Sequence, residues 1–148
     1  MKTAHYAKIS VFSNPEDDEQ KISAALKKLA AVDLEKENIS IDEASAKGFN
    51  ERKIKVFTIV IRKTKLINGF LKSLLGNLDD KQRMVLKSQT GSRLDDDLSF
   101  FIRLDKEKLL KGLYRITDSG NCFHIKLSIA AFPAKREKAL EIIQNIFA

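Results

Sequence analysis

Cysteine and histidine stand two residues apart in the stretch TDSGNCFHIKLSIAAFPAKREKALEII, as Cys122 and His124. The pairing raises two kinds of chemistry: a thiolate nucleophile with its imidazole base, or half of a metal site. A Cys–His catalytic pair needs side-chain contact and a third group to orient the base. Structural zinc needs about four ligands, whereas this chain holds one Cys and two His in all. On a strand, residues two apart share a face at roughly 7 Å. Cys122 and His124 are therefore expected to be neighbours on a sheet surface, with no catalytic residue and no metal ligand assigned.

Carboxylates are the next candidates. Asp95, Asp96 and Asp97 are consecutive in RLDDDLSFF, with Asp105 and Asp118 available to approach from neighbouring strands. Clustered carboxylates that hold Mg²⁺ at a scissile phosphate are the hallmark of two-metal nucleases. Consecutive acids at the entry to a strand are more commonly a solvated turn, and that is the expectation here. The acids of PEDDEQ are explained by the positive end of a helix dipole.

Cations carry the remaining signal. FPAKREKAL places Lys135, Arg136 and Lys138 in the first turns of the last helix, and RKTKLIN places Lys63 and Lys65 at another helix start. Cations are disfavoured there, by a few tenths of a kcal/mol each. A bound phosphate would satisfy the side chains, the free N–H groups and the dipole together; the alternative is that long exposed cations point into water. Residues 1–50 carry a net charge of −2 and residues 51–148 a net of +9, within an overall +7. A basic field of this kind gathers polyanions.

Positioning these residues requires a sheet and several helices. HYAKISVFSN reads as a strand, and SNPEDDEQKISAALKKL as a helix capped by Ser13 or Asn14 with Pro15 in its first turn. Strands are expected at NISID, RKIKVFTIVIRK, LSFFIRLD, LYRITD and CFHIKLSIA. Helices are expected at TKLINGFLKSLL, GNLDDKQRMVLKSQ and AKREKALEIIQNIF. Apolar residues on both faces of RKIKVFTIVIRK suit a central strand, and Gly120 in DSGN suits a turn with positive φ. The order β-α-β-β-α-α-β-β-β-α describes an α+β fold: a two-layer sandwich, mostly antiparallel, with helices on one face, as a single domain over residues 1–148. Alternation in the last strand points Phe123, Ile125, Leu127 and Ile129 into the core. His124 and Lys126 then lie on the opposite face, where Arg103 and Arg115 are expected to add charge. No apolar run reaches the roughly 20 residues of a membrane span, no signal peptide is legible, and a lone cysteine suits a reducing compartment. A cytoplasmic protein without cofactor is expected.

The stretches ISVFSNPEDDEQKI, KGFN, RLDDDLSFFIRLDK and TDSGNCFHIKLSIAAFPAKREKALEII together resemble an archaeal family of predicted exosome subunits, also described as RNA-binding. The resemblance covers nearly the whole length. It implies a fold similar to the ribosomal protein that binds 5S ribosomal RNA, and a C-terminal half related to the double-stranded-RNA-binding domain. It also implies RNA, and exosome or ribosome-related proteins, as partners. Lys135, Arg136 and Lys138 resemble the basic helix start of that domain, with the third cation three residues after the first where the domain spaces them four apart. Where that domain carries a Gly-Pro and histidine loop, this chain has DKEKLLKG. The expected function is non-catalytic binding of structured RNA through phosphates, at Lys135, Arg136, Lys138, Lys63 and Lys65, with Lys126, Arg103 and Arg115 adding charge. A protein–protein adaptor and a Mg²⁺-dependent nuclease using Asp95 to Asp97 are the competing readings.

Overall fold

The computed structural model describes residues 2–47 and 52–148; positions 48–50 of the KGFN stretch lie outside them. The strands are β1 (Ala4–Ser13), β2 (Asp42–Lys47), β3 (Lys53–Ile61), β4 (Ser99–Asp105) and β5 (Cys122–Ile129). The helices are α1 (Glu19–Ala30), α2 (Thr64–Asn77), α3 (Asp80–Ser88), α4 (Lys106–Leu110) and α5 (Arg136–Ile146). The strands form one sheet in the order β2-β3-β1-β5-β4, every neighbouring pair antiparallel. This is the expected α+β architecture.

Period-two alternation divides the sheet into two faces. Ala7, Ile9 and Val11 of β1, Phe57, Ile59 and Ile61 of β3, Phe100, Ile102 and Leu104 of β4, and Phe123, Ile125 and Leu127 of β5 are buried together. Against them pack Ile22, Leu26 and Leu29 of α1, Ile67, Phe70 and Leu74 of α2, and Ala139, Ile142 and Ile143 of α5. Each of these helices presents its apolar residues at i, i+3, i+4 spacing, which makes one buried stripe. Phe147 closes the core below β4, its ring 5.9 Å from that of Phe100. β3 lies between β2 and β1, in keeping with its apolar residues on both faces.

The register also fixes where helices begin. β3 ends at Ile61, opposite Ala7 of β1, and β5 ends at Ile129, opposite Ala4. Both strands therefore finish at the edge where β1 starts, and the helices that follow them, α2 and α5, open at that same edge. Thr3 joins the two connections: its hydroxyl donates to Asn68 Oδ1 of α2 at 3.2 Å, and its carbonyl accepts the Ala130 amide at 2.9 Å.

Local details depart from the sequence expectation in five places. The α1 cap is Asp18, whose carboxylate accepts from the Gln20 and Lys21 amides; Pro15 sits in the preceding turn, ahead of the helix. β2 starts at Asp42, because Asn38 is left-handed (φ 55°) and the Ile39 amide folds back onto the Leu34 carbonyl at 2.8 Å. KEKLL forms the short helix α4. LYRITD shrinks to one antiparallel bridge, Leu104 with Ile116, and the Ile116 amide is taken by Gln82 Oε1 of α3 at 2.6 Å. Gly112 adopts a positive φ of 84° and Gly120 does not; the DSGN turn is closed by the Thr117 and Ser119 hydroxyls, which accept amides of Ser119 and Asn121. Residues 80–146 consequently run α-β-α-β-α, one strand short of the α-β-β-β-α order of the double-stranded-RNA-binding domain.

Candidate nucleic-acid interface

Three basic regions emerge once the fold is in place. Residues paired across antiparallel strands point to the same side of a sheet, so the register lists what the face opposite the helices displays. One row across it runs Phe101–Lys126–Lys8–Val60, and the next runs Arg103–His124–Ser10–Thr58. Beside these rows Tyr6 lies under two cations, Arg62 at 5.7 Å and Lys126 at 5.9 Å from its ring centroid. Cation–π contacts of this kind hold the charged groups over the sheet. Phe12, half exposed, adds another aromatic ring to the same face.

His124 stacks on Phe101, with ring centroids 5.4 Å apart and a 39° tilt. Burial first, then the charges of Arg103, Lys8 and Lys126, push the His124 imidazolium below the ordinary histidine range. It is neutral at pH 7. Burial likewise pushes the Cys122 thiol up, so the cysteine is a thiol and not a poised thiolate.

The second region is the edge at which α2 and α5 begin. Lys63 and Lys135 are the N-cap residues of α2 and α5, and neither helix has a side-chain cap. α2 has no acid in its first turn, whereas α5 carries Glu137 there. The five cations differ in how free they are. Lys65 and Lys135 are exposed. Lys63 reaches Glu37 at 3.3 Å and Lys138 reaches Glu141 at 3.5 Å. Arg136 donates through Nη1 to the Leu94 carbonyl at 3.1 Å and through Nη2 to the Gly91 carbonyl at 2.6 Å. Asp95, Asp96 and Asp97 line a hollow with Arg136, so this edge is of mixed charge. Phe132, 92% exposed, lies just ahead of Lys135.

Arg115 stands apart from both regions. Its carbonyl accepts the Asp105 amide at the far end of β4, and it lines a hollow with Asn77, Asp79 and Lys108. β5 begins at that end of the sheet and finishes at the other, which separates Arg115 from α5.

The aspartate run forms a turn. Asp95 Oδ1 accepts the amides of Asp97 and Ser99, both at 2.9 Å, and Leu98 is left-handed at φ 60°. Among the described residues no group of three or more His, Cys, Asp or Glu is placed to hold a metal ion. No helix there is long and apolar enough to cross a membrane.

Sequence reasoning missed Lys8, Arg62 and Arg93. Lys8 was legible: Ile9 and Val11 point inward, so Lys8 between Ala7 and Ile9 must point outward. Arg93 was not, because it follows α3 in a loop that only the fold brings against β4, where its carbonyl accepts the Phe101 amide at 3.0 Å.

Comparison with known proteins gives these surfaces a context. A family model described as RNA binding matches residues 6–130. An RNA-binding protein of Pyrococcus abyssi is 25% identical over 142 residues, covering 96% of this chain and 92% of that one. An uncharacterized protein of Methanocaldococcus jannaschii is 26% identical over 142 residues, covering 93% and 94%. Two solved structures share the fold. A DUF54 protein of Archaeoglobus fulgidus superposes with a TM-score of 0.81 at 23% identity, over 99% of both chains. A DUF54 protein of Methanothermobacter thermautotrophicus gives 0.81 at 24% identity, over 99% of this chain and 100% of that one.

Proposed function

Since the chain belongs to the RNA-binding family whose model it matches over residues 6–130, we propose that it binds structured RNA without catalysis, chiefly through the sheet face opposite the helices. The observation that carries this reading is the pair of adjacent rows holding Lys8, Lys126, Arg103 and His124 among Tyr6, Phe12 and Phe101. Cations neutralise phosphates irrespective of sequence, and aromatic rings between them accept bases or riboses. Lys63, Lys65 and Lys135 extend the track around the edge where α2 and α5 begin, and Arg62 joins that edge to the face. Arg136 and Lys138 contribute field more than direct contact, since both are already paired. Arg115 belongs to the far end and adds long-range charge.

The resemblance to predicted exosome subunits extends the proposal to RNA processing or degradation in the cytoplasm, in company with other RNA-handling proteins. The test is fluorescence anisotropy with a structured RNA titrated across salt. Affinity should fall linearly in log–log form with a slope that reports several phosphate contacts. Lys8→Glu with Lys126→Glu should weaken binding and lower that slope by about one per lost contact. Unchanged binding by that folded double variant would remove the sheet face from the interface.

A further inference from the structure

The open face carries a cleft of about 530 Å³ at its β4 edge. Its aromatic surfaces are Phe101 and His124, its cations Arg93 and Arg103, and its polar groups include Gln89 and Asp118. From this arrangement we propose that the cleft seats one unpaired nucleotide, so that the protein prefers RNA with a bulge, loop or single-stranded end over a continuous duplex. The inference rests on the RNA-binding reading above and specifies which RNA the same face selects.

Size comes first. Small-ligand sites span about 300–1,000 Å³, which admits one nucleotide and excludes a helix. Chemistry comes second. A duplex offers phosphates to a protein but keeps its base faces stacked, whereas an unpaired base can lie on an aromatic surface. Phe101 and His124 supply that surface as a tilted pair.

The cations are held in place. Arg93 donates to Gln89 Oε1 from Nε at 2.9 Å and from Nη2 at 2.6 Å, and its side chain is only 10% exposed. Arg103 Nη1 donates to the Asp118 carbonyl at 3.2 Å. Two guanidinium groups fixed beside a stacking surface suit a nucleotide's phosphate and base edge together. The acids nearby differ: Asp95 holds its own turn, whereas the Asp118 carboxylate, 3.8 Å from Arg93, is 97% exposed. The cleft thus presents two cations and two rings to a ligand, with the exposed Asp118 carboxylate beside them.

The experiment compares three RNAs of matched length by anisotropy: a perfect duplex, the same duplex with one bulged nucleotide, and a single strand. The intact protein should bind the bulged duplex about tenfold more tightly than the perfect one, the scale of one base–aromatic stack. Phe101→Leu keeps an apolar group against the sheet and removes the ring, so it should erase that preference, with bulged and perfect duplexes then binding alike. Arg103→Gln should reduce the preference without abolishing it. A folded Phe101→Leu protein that keeps the full preference would overturn the cleft assignment alone, as would equal binding of bulged and perfect duplexes by the intact protein. Absence of binding to all three RNAs at low salt would overturn the RNA reading itself.

Discussion

Arg136 Nη2 lies 2.6 Å from the carbonyl oxygen of Gly91, tying the first turn of α5 to the loop that leads into β4. Nη1 makes the second tie, to Leu94. A guanidinium spread over two carbonyls is a structural strut, and hydrogen bonds from charged donors are stronger than neutral ones. Arg136→Ala should therefore lower stability by about 1–2 kcal/mol, read as a drop in urea midpoint with unchanged m-value. Lys135→Ala, whose side chain is exposed, should leave the midpoint where it was. Equal midpoints for the two variants would show that the strut carries no weight.

Lys106 is the buried counterpart of that strut at the other end of the sheet. Its ammonium donates to the Phe12 carbonyl at 2.8 Å and to Asp17 Oδ2 at 2.7 Å, with the lysine side chain 4% and the aspartate side chain 26% exposed. Burial alone would raise the Asp17 carboxyl, yet the Lys106 and Asn14 hydrogen bonds hold it below its ordinary range. A carboxylate with a depressed folded pKa stabilises the protein above its unfolded value and loses that contribution as pH falls through the folded one. Stability should therefore decline below about pH 4, and less steeply in Asp17→Asn. At pH 7 Asp17→Asn should cost about 3 kcal/mol because it strands a buried ammonium. Lys106→Met should cost less, because water can reach the orphaned carboxylate. Denaturant melts of the two variants test the order; a costlier Lys106→Met would reverse the assignment of which partner depends on the other.

Lys106 also marks where the sequence was least legible. The hydrophobic alternation of β1, β3, β4 and β5 was readable because it is a local pattern, and it placed Arg103 and Lys126 on the face opposite the core. KEKLL reads as polar because its lysine is buried only through a partner 89 residues away. The same limit applies at LYRITD, where Gln82 of α3 takes the Ile116 amide that a ladder would have used. For the site, helix-start cations were visible as exceptions to the dipole rule. Their engagement by Glu37, Glu141 and the 91–94 carbonyls was not, since those partners come from outside each helix's first turn. The cleft at Phe101 and His124 depends on a loop folding against β4, which no periodicity encodes.

His124 should couple RNA binding to pH. Its imidazole is kept neutral by burial and by Arg103, Lys8 and Lys126; Phe101, Arg93 and Asp118 also line its cleft. In the free protein this lowered pKa means that the unfolded chain binds a proton first, so stability falls as pH drops below about 6.5. A phosphate in the cleft reverses the balance by favouring the imidazolium. RNA should therefore raise the His124 pKa, and affinity should increase from pH 7 to pH 5 beyond the change seen in His124→Gln. Imidazole chemical shifts followed across pH, with and without RNA, report the coupling directly. A His124 titration unmoved by RNA would place the phosphates elsewhere on the face.

Asp96 and Asp97 offer the sharpest separation between RNA binding and RNA cleavage. Both are exposed, and both share a hollow with Arg136 at the edge where α5 begins. If that edge lies on the RNA track, their charges repel the backbone. Asp96→Asn with Asp97→Asn should then tighten RNA binding a few-fold at low salt. The gain should vanish near 1 M salt, where the screening length shrinks to about 3 Å. Asp95 must be left intact in this experiment, because its carboxylate caps the amides of Asp97 and Ser99 and its loss would disturb the turn. A nuclease centre makes the opposite demand: the same double substitution would abolish Mg²⁺-dependent cleavage of labelled RNA and would not tighten binding. Running the salt titration and the cleavage assay on one protein preparation distinguishes the two, since tighter binding without cleavage by the parent protein is compatible with the first reading alone.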